Sequence, residues 1–162
     1  MAALPPKIYT VAQGVVKAQA YCAYQERCHQ EVIDKVMEWG LTYAEANEVT
    51  TLLIDDGFLN EARFAKLYVS GKSRIKRWGR KKILIGLKQK KISDRCIKDA
   101  FATIDDDEYL GNIIIHLRKK IGEQLFSKVN KPLLQKAIQY TLTKGFEYDI
   151  ILDVIKTEIN NE

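Results

Sequence analysis

The stretch Ile54–Phe101, IDDGFLNEARFAKLYVSGKSRIKRWGRKKILIGLKQKKISDRCIKDAF, decides the fold. Its apolar residues return at helical intervals: Phe64, Tyr68 and Ile75, then Ile83, Leu84 and Leu87, then Ile97 and Phe101. Such spacing predicts amphipathic helices whose apolar stripe faces a core. Between the runs stands a fixed grammar: an apolar residue, a capping residue, and an apolar residue four positions into the next helix. Leu59-Asn60 with Phe64 is one instance and Ile92-Ser93 with Ile97 another. The cap satisfies free helix amides and the flanking apolar pair fixes the angle at which the chain enters.

The same device recurs on both sides. Leu41-Thr42 is followed by Glu45, a capping box, and by Ala46. Phe146-Glu147 is followed by Ile151, with a poor cap residue but a well-filled apolar pair. Leu41, Ile92 and Phe146 lie 51 and 54 residues apart. A repeat of this length with only helix signals predicts an all-α, elongated tandem array of three-helix repeats. It has about three units, roughly nine helices, in one chain of residues 1–162. The units are expected at about 15–56, 60–101 and 105–158, with first helices Val16–Arg27, Glu61–Ile75 and Glu108–Ile121. No period-two run supports a sheet. Residues through Gly14 read as an ordered or half-ordered arm, because Pro5-Pro6 forbids a helix there. Val16, Ala20, Ala23 and Tyr24 are expected to share the apolar face of the first helix. Val32, Ile33, Val36, Met37 and Trp39 form the second, stopped by Gly40. Leu134, Ile138 and Ile151 join the residues above in the expected core.

Three prolines and nine glycines among 162 residues leave no long flexible linker, and 46% hydrophobic residues support a core. The start of the chain does not read as a signal peptide and no run is long enough for a membrane span. Cys22, Cys28 and Cys96 are too few and oddly numbered for a disulfide framework, so a reduced, cytoplasmic protein is expected. They are not spaced as a zinc set either, and buried thiols on helices are the simpler reading. His29 and His116 have no nucleophile motif near them, and Gly71-Lys72-Ser73 lacks the Gly that a phosphate loop needs at position 66. No enzyme, cofactor or metal is expected. Asp105, Asp106, Asp107 and Glu108 read as the negatively charged start of a helix rather than as a metal site.

The charge pattern points to a partner. The net charge is +5, but from Phe64 to Ser93 there is no Asp or Glu. That interval carries Lys72, Arg74, Lys76, Arg77, Arg80, Lys81, Lys82, Lys88, Lys90 and Lys91, with Trp78 among them. A cationic face of this density calls for solvent or an anionic partner. Trp78 can stack on a base or pack beneath a cation. Gly79 precedes a helix whose free amides favour anions. These eleven residues form the candidate binding surface. A stand-alone nucleic-acid-binding module of helix-turn-helix type is the alternative, with Arg80–Lys90 as its second helix. Gln89 is the only amide side chain there for base edges, so recognition would be non-specific.

Several strings resemble a known family. Asp56-Gly57-Phe58-Leu59-Asn60-Glu61-Ala62-Arg63-Phe64-Ala65 resembles the conserved block of the RecX proteins, bacterial regulators of the RecA recombinase. Arg77-Trp78-Gly79, Lys82-Ile83 and Leu87-Lys88-Gln89-Lys90-Lys91-Ile92-Ser93 continue that pattern, with Lys91 where the family has Gly. Lys144-Gly145-Phe146 matches a later element. The resemblance implies a non-enzymatic, monomeric regulator of recombination and DNA repair in the SOS response. It would bind the RecA–DNA filament along its groove, contact single-stranded or double-stranded DNA, and restrain ATP turnover and strand exchange.

Overall fold

Caps and stops punctuate the chain much as their residue types dictate. The computed structural model describes residues 9–162, and every regular element among them is helical. Helices α1 (Val11–Tyr24), α2 (His29–Glu38) and α3 (Tyr43–Asp55) make the first unit. The second holds α4 (Glu61–Ser70), α5 (Arg80–Gln89) and α6 (Asp94–Phe101), and the third α7 (Asp106–Ile121), α8 (Lys131–Thr143) and α9 (Tyr148–Asn160). A π-helical turn, Gly71–Ile75, extends α4, and a 3-10 turn, Phe126–Lys128, precedes α8. Thr42 Oγ1 accepts from the Glu45 amide while Glu45 Oε2 accepts from the Thr42 amide at 2.9 Å. Asn60 and Ser93 cap α4 and α6 through their side chains, whereas Glu147 forms no side-chain cap bond. Gly40 and Gly145 end their helices in the left-handed region, and Lys91 adopts it too, at φ 58°. A lysine there is strained by its Cβ in a way that glycine is not.

Each unit has its own cluster of buried side chains. Ala18, Val32, Val36, Leu41, Val49 and Leu53 centre the first. Ala65, Val69, Ile83, Leu87, Ile92 and Ala100 centre the second, and Tyr109, Ile113, Leu117, Phe126, Phe146 and Ile151 the third. The apolar pairs flanking the caps fall inside one cluster in three cases. The fourth straddles a boundary, with Leu59 in the first cluster and Phe64 in the second. Cys28, at the N-cap of α2, also packs into the second cluster.

Several expectations are corrected. Thr10 caps α1, so the helix begins at Val11 and the arm is shorter than the sequence suggests; Pro5 and Pro6 lie outside the described residues. The buried face of α1 is Gly14, Ala18 and Cys22, while Val16 and Tyr24 are 68% and 86% exposed. Small residues win that face because α1 lies close against Leu41 and Val49, which a Cβ on Gly14 would already touch. Ile75, expected in the core, is 78% exposed. The wider π turn sets it back by roughly one residue's rotation from the α-helical phase. Leu84 is also exposed, while Tyr68, Phe101 and Leu134 are half-buried.

Candidate interaction surface

The eleven candidate residues occupy the π turn, the loop after it, α5, and the turn that ends α5. The structure sorts them by partner. Arg74 pairs with Glu108 at 3.2 Å, Arg80 with Asp106 at 3.1 Å, Lys90 with Glu31 at 2.5 Å, and Lys88 with Asp94. Lys72 and Lys82 place their ammonium groups 4.7 and 4.5 Å from the centre of the Trp78 ring. Trp78 is half-buried against the second core, so both core and cation contacts hold it. Lys76, Arg77, Lys81 and Lys91 are exposed, and no ion pair joins them to an acid among the described residues. The acid-free interval of sequence is therefore partly neutralised in space, by acids from α2, α6 and α7.

The start of α5 is not open to an anion. Gly79 N donates to Lys144 O at 2.8 Å, Arg80 N to the Tyr109 hydroxyl at 2.9 Å, and Lys81 N to Gly145 O at 3.0 Å. Helix-end amides that would attract phosphate are thus occupied by the third unit. Gly79 is buried, and a Cβ on it would overlap the Gly145 carbonyl and the Phe146 amide. Gly145, at φ +93°, lies equally close to Lys82. Glycine is required at both positions so that two backbones can touch.

The π turn completes this joint. Gly71-Lys72-Ser73 lies within it, with Ser73 buried. Ser73 O accepts from Asn112 Nδ2 at 3.2 Å, and Arg77, at φ 51°, turns its carbonyl to His116 Nε2 at 2.7 Å. Because that carbonyl can only accept, Nε2 carries the proton, and Nδ1 is buried without a hydrogen-bond partner. Burial, outweighing the bond to Arg77, holds the imidazole below its usual range, and Lys119, Lys144 and Arg77 act in the same direction. The Tyr109 hydroxyl donates to Glu147 Oε2 at 2.6 Å while Arg80 lies over its ring, and burial, aided by the bond to Glu147, makes the phenol far less acidic than an ordinary tyrosine. Sequence reasoning missed Asn112 and His116. Their signal was present, since two polar residues at i and i+4 interrupt the otherwise apolar stripe Tyr109, Ile113 and Leu117 of α7.

The first and second units meet differently. Arg63 pairs with Glu26, and Lys90 with Glu31. Burial alone would raise the Glu31 carboxyl, but Lys90 and the Cys28 amide outweigh it and hold it low. Beside this contact runs an open groove of about 450 Å³, lined by Gln25 and Glu31 on one side and by α4 and the π turn on the other. Burial raises the thiols of Cys22 and Cys28, and Cys96 Sγ donates to Glu61 at 3.3 Å. No group of three or more His, Cys, Asp or Glu among the described residues is arranged to hold a metal ion.

Residues 60–100, the second unit, match the family described as RecX, second three-helix domain. The crystal structure of RecX from Lactobacillus salivarius superposes with a TM-score of 0.80 at 29% identity, covering 94% of this chain and 97% of that one. The chain is similar to RecX proteins along most of its length, and its second unit matches the RecX three-helix domain. Among curated RecX relatives, the regulatory protein RecX of Lactobacillus johnsonii is 29% identical over 135 residues, 82% of this chain and 49% of that protein. That of Clostridium perfringens is 28% identical over 138 residues, 84% of this chain and 64% of its own length. The chain thus spans about half to two thirds of the RecX relatives it matches. A second RecX crystal structure, at 22% identity and a TM-score of 0.74, supports the fold alone.

Proposed function

We propose that this chain is a non-enzymatic, cytoplasmic regulator that binds the RecA–DNA filament and restrains its ATPase and strand exchange. The observation that carries the reading is the superposition on a solved RecX chain over nearly its whole length. Relatives named as regulatory proteins support it. Lys76, Arg77, Lys81 and Lys91 on the middle unit, which have no ion pair among the described residues, supply an electrostatic face for a filament carrying phosphates. An array of small units offers a large surface for its mass, which suits tracking along a filament groove. No helix among the described residues is long and apolar enough to cross a membrane.

The rival reading, a helix-turn-helix module, needs the first residues of the second helix in a major groove. In this molecule Lys144, Gly145 and Tyr109 cover that helix start, which favours the regulator. The test is co-sedimentation with RecA–single-stranded DNA filaments against naked DNA at equal salt. Tighter binding to filament is expected, with ATP hydrolysis slowed at amounts well below one copy per recombinase. For naked DNA, Lys76→Ala and Lys81→Ala should each lower the log–log salt slope by about one unit if they meet phosphate. If hydrolysis slows only in proportion to DNA sequestered, and excess DNA restores it fully, the regulator reading fails and the DNA module stands.

A further inference from the structure

The groove between the first two units has the wrong chemistry for nucleic acid and the right chemistry for a peptide. Its wall on α4 and the π turn presents Leu67, 55% exposed, and Ile75, 78% exposed. These aliphatic side chains stand in water without partners in either neighbouring core. Eight residues separate them, roughly 12 Å along a helix axis. Around them lie Lys72, Lys76 and Lys90 against a single carboxylate, Glu31, which already pairs with Lys90. A base needs a free aromatic face. Trp78 carries a lysine contact from both Lys72 and Lys82, and Tyr68 lies against Phe64, Lys72 and Lys90. Single-strand binding through stacking platforms is therefore poorly served here.

We propose that this groove is the docking site for an amphipathic, acidic helix of a protein partner. Two aliphatic residues about two turns apart would cover Leu67 and Ile75, and flanking carboxylates would meet Lys72 and Lys76. This is helix-in-groove recognition, with apolar anchors giving affinity and charge fixing the direction. The π turn serves the site directly, because an α-helical continuation would turn Ile75 back toward the core phase. The inference deepens the regulatory reading and rests on it for the partner being a recombinase filament, but the groove itself can be tested separately.

The probe is a labelled helical peptide of about eighteen residues with Leu at i and i+7 and Glu on the surrounding face, a design set by the groove. Fluorescence anisotropy with the full chain should show saturable binding. Leu67→Ser and Ile75→Ser, both at exposed positions, should leave the thermal midpoint unchanged and weaken binding about tenfold or more each. A peptide with Lys in place of Glu should bind at least about tenfold more weakly. Both variants should hold an oligothymidine as well as the parent does. The proposal is overturned by no peptide binding, by equal binding of the charge-reversed peptide, or by variants that keep full affinity. It is equally overturned if the variants lose oligothymidine in parallel, which would assign the groove to nucleic acid. Filament co-sedimentation separates the two levels. A parent chain that binds the peptide but not the filament keeps the groove and sinks the filament reading. Variants that lose the peptide yet pellet normally with filament keep the filament reading and overturn the groove as its contact.

Discussion

The two joints of this molecule are built from different materials. Between the second and third units the backbones touch, through Gly79 N to Lys144 O and Lys81 N to Gly145 O, and buried polar groups close around them. Between the first and second, no backbone–backbone hydrogen bond crosses among the described residues. That joint rests on two ion pairs, on Cys28 in the neighbouring core, and on the Leu59–Phe64 boundary. Backbone bonds have one geometry, whereas long charged side chains tolerate many at little cost. The second and third units are thus expected to move as one body, with the first unit free to adjust against them.

The sharpest way to break the contrast is Gly145→Ala. It adds a Cβ where Lys82 already sits and forces a non-glycine residue to φ +93°. A loss of about 3 kcal/mol or more is expected, lowering the thermal midpoint by roughly 6–12 °C. A midpoint within about one degree of the parent would refute the rigid joint. Tyr109→Phe is milder, removing the acceptor for Arg80 N and the donor to Glu147. It is expected to cost about 1–3 kcal/mol by urea titration, and a neutral result would mean water replaces the hydroxyl without penalty.

Acidity should act on the same joint. His116 is held below its usual range when folded, so the unfolded chain takes up a proton first as pH falls below about 6.5. The contribution of the neutral imidazole is full above that value and is lost progressively as pH falls below it. Urea midpoints at pH 7 and 5 should differ in that direction, and His116→Gln should shrink the difference; an unchanged difference would place the titrating group elsewhere. The smallest effect belongs to the first joint. Glu31→Gln should cost no more than about 1 kcal/mol. It should nevertheless alter the small-angle scattering profile, and an identical profile would show that the ion pair does not set the angle.

Much of this was legible in the sequence because caps and stops are local. Thr42, Asn60 and Ser93 cap as their residue types require, and Leu41, Leu59 and Ile92 are buried beside them. The face of α1 was misread because hydrophobicity favours Val16 and Tyr24, while the close approach to α3 selects Gly14 and Ala18 for size. Ile75 was misread because a π turn leaves no mark in apolar spacing. The binding surface was only half visible. Its charges were countable, but Glu31, Asp106 and Glu108, which neutralise three of them, come from other elements of the fold. Arg80 and Lys82 consequently suit a binding test less well than Lys76 and Lys81, since the first pair also steadies Tyr109 and Trp78. Removing the third unit from Asp105 onward is likewise a poor test of binding, because it would strip the partners from Gly79, Arg80 and Lys81.

The backbone joint also imposes an order in time. Apart from Cys28, which joins the second core, each core is drawn from one contiguous stretch of chain, which favours rapid, local folding as the chain lengthens from its N-terminus. The first core can close once Leu59 has been made. The second can gather when Ile104 follows. Its α5, however, would wait with bare amides until Lys144 and Gly145 arrive. Pulse-labelled hydrogen exchange during refolding should therefore find Gly79, Arg80 and Lys81 protected late, together with the third unit, while Ile83 and Leu87 farther along the same helix are already shielded.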